Sequence, residues 1–178
     1  MIRAHHALLV LTCLLAGAVG AQEATPQISW PTGWQVQTLD RDDSAVQAST
    51  NVSRQRAVKH DENGDPVLVM ELTTTAVETG HEVNVQGVLL EMRKAIQKDF
   101  FQGGYQSACN RIHPATLSRL QALETTCTIT QNGRHVLSQT IVAAVDSEKA
   151  YVFSYAGQAE AYAASQDEVQ GVRNSLKF

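Results

Sequence analysis

An α+β fold, an antiparallel sheet of about six strands covered by helices, is the class that this sequence predicts. Three observations carry it. Several segments alternate apolar and polar residues with period two. Asn63-Gly64 and Asn132-Gly133 each sit between two such segments, as hairpin turns do. Two other stretches instead carry apolar residues at three- and four-residue steps, the mark of a helix face. The composition agrees with a globular chain: of 178 residues, 43% are hydrophobic and 18% charged, with a net charge of -4. That balance leaves no basic stripe, which excludes nucleic-acid binding.

The elements follow in chain order. Trp30 and Trp34 flank the turn Pro31-Thr32-Gly33, and Trp34–Leu39 reads as a first strand. Val52–His60 and Val67–Thr75 form a hairpin about Asp61–Asp65. A two-residue turn at Asn63-Gly64, with positive φ at both residues, pairs Glu62 with Asp65, Ala57 with Met70 and Arg56 with Glu71. Leu68, Met70 and Leu72 then share one face. Val85, Val88, Leu89, Met92, Ile96 and Phe100 recur with the helical period, Asn84 standing at the N-cap and Gly103-Gly104 at the stop. Three strands come next. In the first, Leu123, Thr125, Cys127 and Ile129 share a face, so Cys127 points inward. Asn132-Gly133 turns the chain into Val136–Val145, and Asp146–Lys149 turns it into Ala150–Tyr155, where Tyr151, Phe153 and Tyr155 share a face. Gln158–Leu176 reads as one last helix through Tyr162, Ser165, Val169, Val172 and Leu176. Most aromatic residues lie on these apolar faces and are expected in the core, Trp30 being the exposed exception.

The segments Tyr151-Val-Phe-Ser-Tyr-Ala-Gly and Val172-Arg-Asn-Ser-Leu-Lys-Phe178, with Tyr162 between them, resemble the C-terminal end of the Mog1/PsbP-like fold. There a strand of aromatic residues leads into a last helix and a Ser-Leu-Lys-Phe-like close. Trp30-Pro31-Thr32-Gly33-Trp34 is similar to its Pro-x-Gly-Trp opening, and element order agrees over most of residues 28–178. The whole chain looks like a small family of uncharacterised, exported proteins of Gram-negative bacteria. The resemblance implies an α/β/α sandwich and a non-catalytic role, since members of the group include transport and photosystem accessory proteins.

The N-terminus carries the address. Arg3 precedes the apolar run Ala7–Gly20, and small residues lead to Ala21, the three-part plan of a secretory signal peptide. Fourteen apolar residues fall short of the about 20 that cross a bilayer. The expected organisation is therefore a signal peptide over 1–21, cleaved near Ala21, and one domain over 22–178 without a transmembrane segment, in the periplasm or secreted. Cleavage removes Cys13 and leaves Cys109 and Cys127, which in an exported chain read as one disulfide.

No pattern in the sequence carries catalysis. His60, His81, His113 and His135 are scattered, and Cys109 with His113 is a poor metal pair once the thiol is in a disulfide. Asp61, Asn63 and Asp65 begin like a calcium loop, but Pro66 stands at its required glycine. Asp40, Asp42 and Asp43 read as a solvated turn, and Asn51-Val52-Ser53 as a chance glycosylation match. The expectation is a chain with no catalytic, cofactor-binding or metal residue and no cofactor. It would be a non-enzymatic binding or accessory protein whose partner is another protein or a small ligand. Two readings stay open beside it: an immunity or inhibitor protein against an envelope-targeting toxin, and an envelope hydrolase whose site assembles only in three dimensions. For the latter, His113 and His135 flank turns next to strand ends and are the residues to inspect.

Overall fold

Strands that alternate along their length must be covered on their apolar faces, and the arrangement of those covers defines this molecule. The structure, a computed structural model, describes residues 26–38 and 52–178. Within them lie β1 (Gln35–Thr38), β2 (Val52–His60), β3 (Pro66–Ala76), α1 (Val85–Gln102), β4 (Gln106–Cys109), β5 (His113–Leu117), β6 (Leu120–Gln131), β7 (Arg134–Val145), β8 (Lys149–Gln158), α2 (Ala159–Ala164) and α3 (Gln166–Ser175). The strands form one sheet in the order β1-β2-β3-β8-β7-β6-β4, with β5 also on β6. All of its pairings are antiparallel. Residues 1–21, expected as a signal peptide, and Asp40, Asp42, Asp43 and Asn51 lie outside the described residues.

Eight strands stand where about six are expected. The two extra ones, β4 and β5, lie end to end along β6, opposite residues 127–130 and 120–124. Each is four or five residues long and pairs with one neighbour, so neither carries the two-faced pattern of a longer strand. Side chains of α1 close off the outer side of β4: Arg93 Nη2 donates to the Cys109 carbonyl at 3.3 Å, and Gln97 Nε2 to the Ser107 carbonyl at 3.4 Å. Filling these backbone acceptors removes the template that a bare edge presents.

Helices cover both faces. Leu89 and Ile96 of α1 pack on Cys127, Ile129, Ile141 and Ala143. Val169, Val172 and Leu176 join Leu68, Met70, Leu72, Val142, Tyr151, Phe153 and Tyr155 on the other side. The Asn84 side chain accepts from the Gly87 N–H at 2.9 Å, and α1 stops at Gly103, with Gly104 at φ 80°. Val88, placed on the inner face by periodicity, is 39% exposed. The expected single last helix is two, parted at Ser165, although Ser165 N–H still donates to the Ala161 carbonyl and Val169 N–H to that of Ser165. Its apolar face survives the kink: Ser165, Val169, Val172 and Leu176 are all buried.

The first hairpin has the expected body and a different tip. Arg56 pairs with Glu71 and Ala57 with Met70, and Arg56 Nη2 lies 2.6 Å from Glu71 Oε2, a part-exposed ion pair worth about 1 kcal/mol or less. At the tip only Gly64 has positive φ, and Asp61 rather than Glu62 bonds Asp65, through its N–H to the Asp65 carbonyl. The Asp61 carboxylate accepts from the N–H groups of Asn63 and Asp65, both at 2.9 Å, which favours a three-residue loop over a turn that strains Asn63. A bulge between Lys59 and His60 restores the register. At the second hairpin both Asn132 and Gly133 take positive φ, 51° and 76°.

The two ends of the described chain are tied together. Gln27 and Lys177 exchange both backbone hydrogen bonds, Ser29 N–H donates to Ser175 Oγ, and the Phe178 ring lies 4.3 Å from that of Tyr151. The Ser-Leu-Lys-Phe close thus serves as a clasp. Trp30, expected exposed, is half-buried against the same core because that clasp holds its segment down. Trp34 is buried, with Lys59 Nζ 5.6 Å from its ring centre.

Cys109 and Cys127 stand opposite each other in β4 and β6, with Cα atoms 3.9 Å apart and their sulfurs joined. The bond closes 18 residues of sequence, which stabilises by about 3 kcal/mol in the chain-entropy model. Reduction is therefore expected to lower the unfolding free energy in urea by about that amount. Thiol labelling of the unfolded, unreduced protein should leave both cysteines untouched; labelled Cys109 and Cys127 would refute the bridge. A second test concerns close packing. Gly157 lies so near β3 that an added Cβ would sit 2.5 Å from the Val67 carbonyl oxygen. Gly157→Ala should cost about 1–3 kcal/mol, and an unchanged urea midpoint would contradict the packing described.

Candidate functional site

The face of β6 and β7 beneath α2 and α3 carries a strip of polar side chains. Alternation sends Glu124 and Thr126 of β6, and Ser138 and Thr140 of β7, to that side. Thr126 Oγ1 lies 2.6 Å from Thr140 Oγ1, which in turn meets the Tyr162 hydroxyl. The Tyr162 ring stacks on Tyr155 at 5.2 Å. Burial, and then the neighbouring Tyr162, push the Tyr155 phenol well above its ordinary range, so it stays neutral. At one end Arg173, only 8% exposed, places Nη1 at 2.9 Å from Glu124 Oε2 and donates through Nη2 to the Thr116 carbonyl at 2.8 Å. His113 Nδ1 bonds the Arg111 carbonyl at 3.1 Å, leaving Nε2 3.9 Å from Glu124. These groups engage one another, and the strip reads as a polar seam holding α3 to the sheet.

The other end of the strip opens into a hollow of about 500 Å³ lined by Tyr105, Gln131, His135, Leu137, Gln158 and Glu160, among others. Four local features build it. The Asn132-Gly133 turn brings Gln131 and His135 together. A bulge opposite Ile129 and Thr130 lets Val136 stand unpaired beside them. The end of β8 and the start of α2 supply Gln158 and Glu160. The stop of α1 delivers Tyr105, packed edge-on to Phe100 at 5.9 Å. His135 Nε2 is 3.0 Å from the Leu137 carbonyl and 2.9 Å from Ser138 Oγ. A carbonyl only accepts, so Nε2 carries the proton and cannot take one from Ser138. The lone pair is left on Nδ1.

A second cavity, of about 550 Å³, lies at the opposite end of the sheet among Pro26, Val77, Asp146, Tyr151 and Phe178. Its polar groups hold a turn. Asp146 Oδ1 accepts from the N–H groups of Glu148 and Lys149 at 2.9 and 2.8 Å, and Oδ2 from the Tyr151 hydroxyl at 2.8 Å. Burial alone would raise the Asp146 carboxyl, but these donors and the Lys149 charge outweigh it and hold the group below the usual carboxylate range.

Of the residues singled out from sequence, Cys109 and Cys127 lie in the core under α1, and His60 and His81 are exposed. Asp61, Asn63 and Asp65 form a turn around their own backbone. His135 alone reaches the hollow. Tyr105, Gln131, Gln158 and Glu160 were not singled out. They come from separate elements and share no spacing that a sequence displays. Among the described residues, no group of three or more His, Cys, Asp or Glu is placed to hold a metal ion, and no helix is long and apolar enough to cross a membrane.

A single antiparallel sheet between α1 and the α2–α3 layer, closed by a C-terminal clasp, is a PsbP-like α+β sandwich. The solution structure of cyanobacterial PsbP (CyanoP) from Synechocystis sp. PCC 6803 is similar with a TM-score of 0.57 and 12% identity, over 92% of this chain and 98% of that one. The crystal structure of LpqN, involved in cell envelope biogenesis of Mycobacterium tuberculosis, is similar with a TM-score of 0.48 and 14% identity, over 89% and 86%. No curated protein matches the chain. Residues 25–178 match the family described as a domain of unknown function, DUF4946, and the chain belongs to that family.

The Asp146 turn sets a pH dependence. Because its folded pKa lies below the unfolded one, its contribution is fully present above the ordinary carboxylate range and is lost as pH falls through the lowered value. Asp146→Ala should cost about 1–3 kcal/mol at pH 7 and flatten the acid limb of stability against pH. A limb equally steep in the variant, measured by urea titration between neutral and strongly acid pH, would show that other groups set it.

Proposed function

We propose that this protein is an exported, non-enzymatic binding or accessory protein, a single domain over residues 22–178 that acts in the periplasm or outside the cell after cleavage near Ala21. It needs no cofactor and no nucleic acid, and its partner is a small ligand or another protein. The observation that carries the binding reading is the hollow beside His135, around which β6, β7, β8, α2 and the segment after α1 bring polar residues together. Three further features support the whole. The apolar run Ala7–Gly20 has the length and flanks of a signal peptide. The Cys109–Cys127 bridge suits an oxidising compartment. The PsbP-like fold is shared with cyanobacterial PsbP, although that likeness extends to fold alone.

The envelope-hydrolase reading has one specific contact in its favour, His135 Nε2 against Ser138 Oγ at 2.9 Å. The Leu137 carbonyl on the same nitrogen argues against it, since a general base needs that lone pair. Ser138 is also buried, away from any substrate bond.

Expression of the full chain in a Gram-negative host tests the proposal. The protein recovered by osmotic shock should have an intact mass beginning at Gln22. It should also turn over esters, phosphate monoesters and peptides no faster than its Ser138→Ala variant. A mass that retains residues 1–21 would overturn the export reading. A turnover abolished in both Ser138→Ala and His135→Ala would overturn the non-enzymatic one.

A further inference from the structure

Large apolar side chains left in water mark a contact surface when several share one face. Among the described residues such side chains are Val36 and Val52 at the β1–β2 edge, and Val88, Leu90 and Phe101 around α1. Phe101 is the extreme case at 78% exposed, and Leu90 is 40% exposed. These two lie on one side of the helix. Leu90, Lys94, Gln97 and Phe101 follow steps of four, three and four residues, the spacing by which one helix seats against another. All four are exposed, whereas Leu89 and Ile96 pack on the sheet.

The charges beside this stripe select what fits it. Glu91 and Lys98 each follow a stripe residue by one position, so both stand on the same flank. The opposite flank holds Arg93, whose Nη2 is turned to the Cys109 carbonyl. A second α1 running antiparallel, centred between Ala95 and Ile96, sets Leu90 against the partner's Phe101 and Lys94 against the partner's Gln97. Like flanks then meet. Glu91 faces the partner's Lys98 and Lys98 the partner's Glu91, so a single two-fold contact makes two ion pairs. Gln97 Nε2 donates to the Ser107 carbonyl at 3.4 Å, which leaves its Oε1 to accept from the partner's Lys94. Lys94 Nζ lies 2.6 Å from Glu91 Oε1 and has further protons to donate. A parallel helix would set Arg93 against the partner's Lys98, like charge against like. An anionic lipid surface would accept the two apolar side chains but repel Glu91 and a chain of net charge -4. We infer that the outer stripe of α1 is a self-association surface, on which a second copy of this chain seats its own α1 antiparallel about a two-fold axis. The stripe shares no residue with the hollow beside His135, so association and ligand binding are separately testable.

Sedimentation equilibrium of the oxidised chain over residues 22–178, at neutral pH and rising concentration, tests this. One helix stripe per copy is a small interface, so a reversible dimer with a dissociation constant of about 10–100 μM is expected. Phe101→Ser should weaken it at least about thirtyfold, since each dimer loses two buried rings. Glu91→Lys and Lys98→Glu should each weaken it about tenfold, through two like-charge pairs in place of two ion pairs, and the variant carrying both should dimerise as the parent does. A folding defect cannot produce that recovery. Val36→Ser, at the far edge of the sheet, should leave the dimer unchanged. A chain still monomeric at ten times the upper expected constant overturns the inference. So does a dimer that Phe101→Ser leaves intact, or one that the double charge exchange fails to restore. A monomer that binds phosphatidylglycerol vesicles through Phe101 overturns it too and gives the stripe to a membrane.

Discussion

Residues Ile141 to Ala144 in β7 are all but inaccessible, from 0% to 3% exposed. Successive residues of a strand point to opposite faces, so four buried in a row require cover on both sides. That requirement governs the molecule. Ile141 and Ala143 need α1, while Val142 and Ala144, with Phe153 of β8, need α3. The strands bearing the greatest apolar load occupy the middle of the sheet, and the short or polar ones, β1, β4 and β5, fall to its edges. The helices cannot slide far, because each is set by large side chains seated on one face of this central pair.

The clasp follows from the same constraint. Once α3 lies across Phe153 and its neighbours, the chain beyond it emerges beside β8, and Lys177 can pair with Gln27. Ser118 Oγ donates to the Leu176 carbonyl, Arg119 Nη2 to that of Phe178, and the Tyr151 ring meets the Phe178 ring. A few polar contacts thereby fasten both termini of the described fold to its core. The Glu124–Arg173 pair belongs to this architecture too. Such a part-buried ion pair contributes little net stability against an apolar alternative, yet its directional bonds fix where α3 sits on β5 and β6.

Function, in this reading, is a matter of where the fold brings polar residues together around a concavity. The scaffold fills its acceptors with care. Even the edge carbonyls of β4 receive Arg93 and Gln97. The hollow beside His135 gathers amide, carboxylate, phenol and imidazole residues from separate elements. His135 itself is oriented rather than activated. The Leu137 carbonyl fixes its tautomer, and the remaining nitrogen is an acceptor held in place. Preoriented acceptors and donors suit recognition better than bond breaking.

Much of the fold was legible before any coordinates, because its signals are local. Alternation placed Leu68, Met70, Leu72 and Cys127 on buried faces. The Asn84 cap and the Gly103 stop bounded α1, and Asn132-Gly133 marked a true two-residue turn. The body of the first hairpin was legible through its register, Arg56 against Glu71. Its tip was not, because the Asp61 carboxylate competes for the turn's N–H groups and that competition leaves no periodic trace. Strands β4 and β5 were missed for a related reason: a short strand paired on one side needs no second apolar face. The site was the least legible part. His135 stood out as a histidine near a turn, but Tyr105, Gln131, Gln158 and Glu160 belong to the segment after one helix, two strands and the start of another helix. The sequence by itself determined which faces are apolar and where the chain turns, because those depend on neighbours within a few residues. Tertiary structure alone decided which polar groups find partners and which residues meet around a hollow, because both depend on the meeting of elements far apart in the chain.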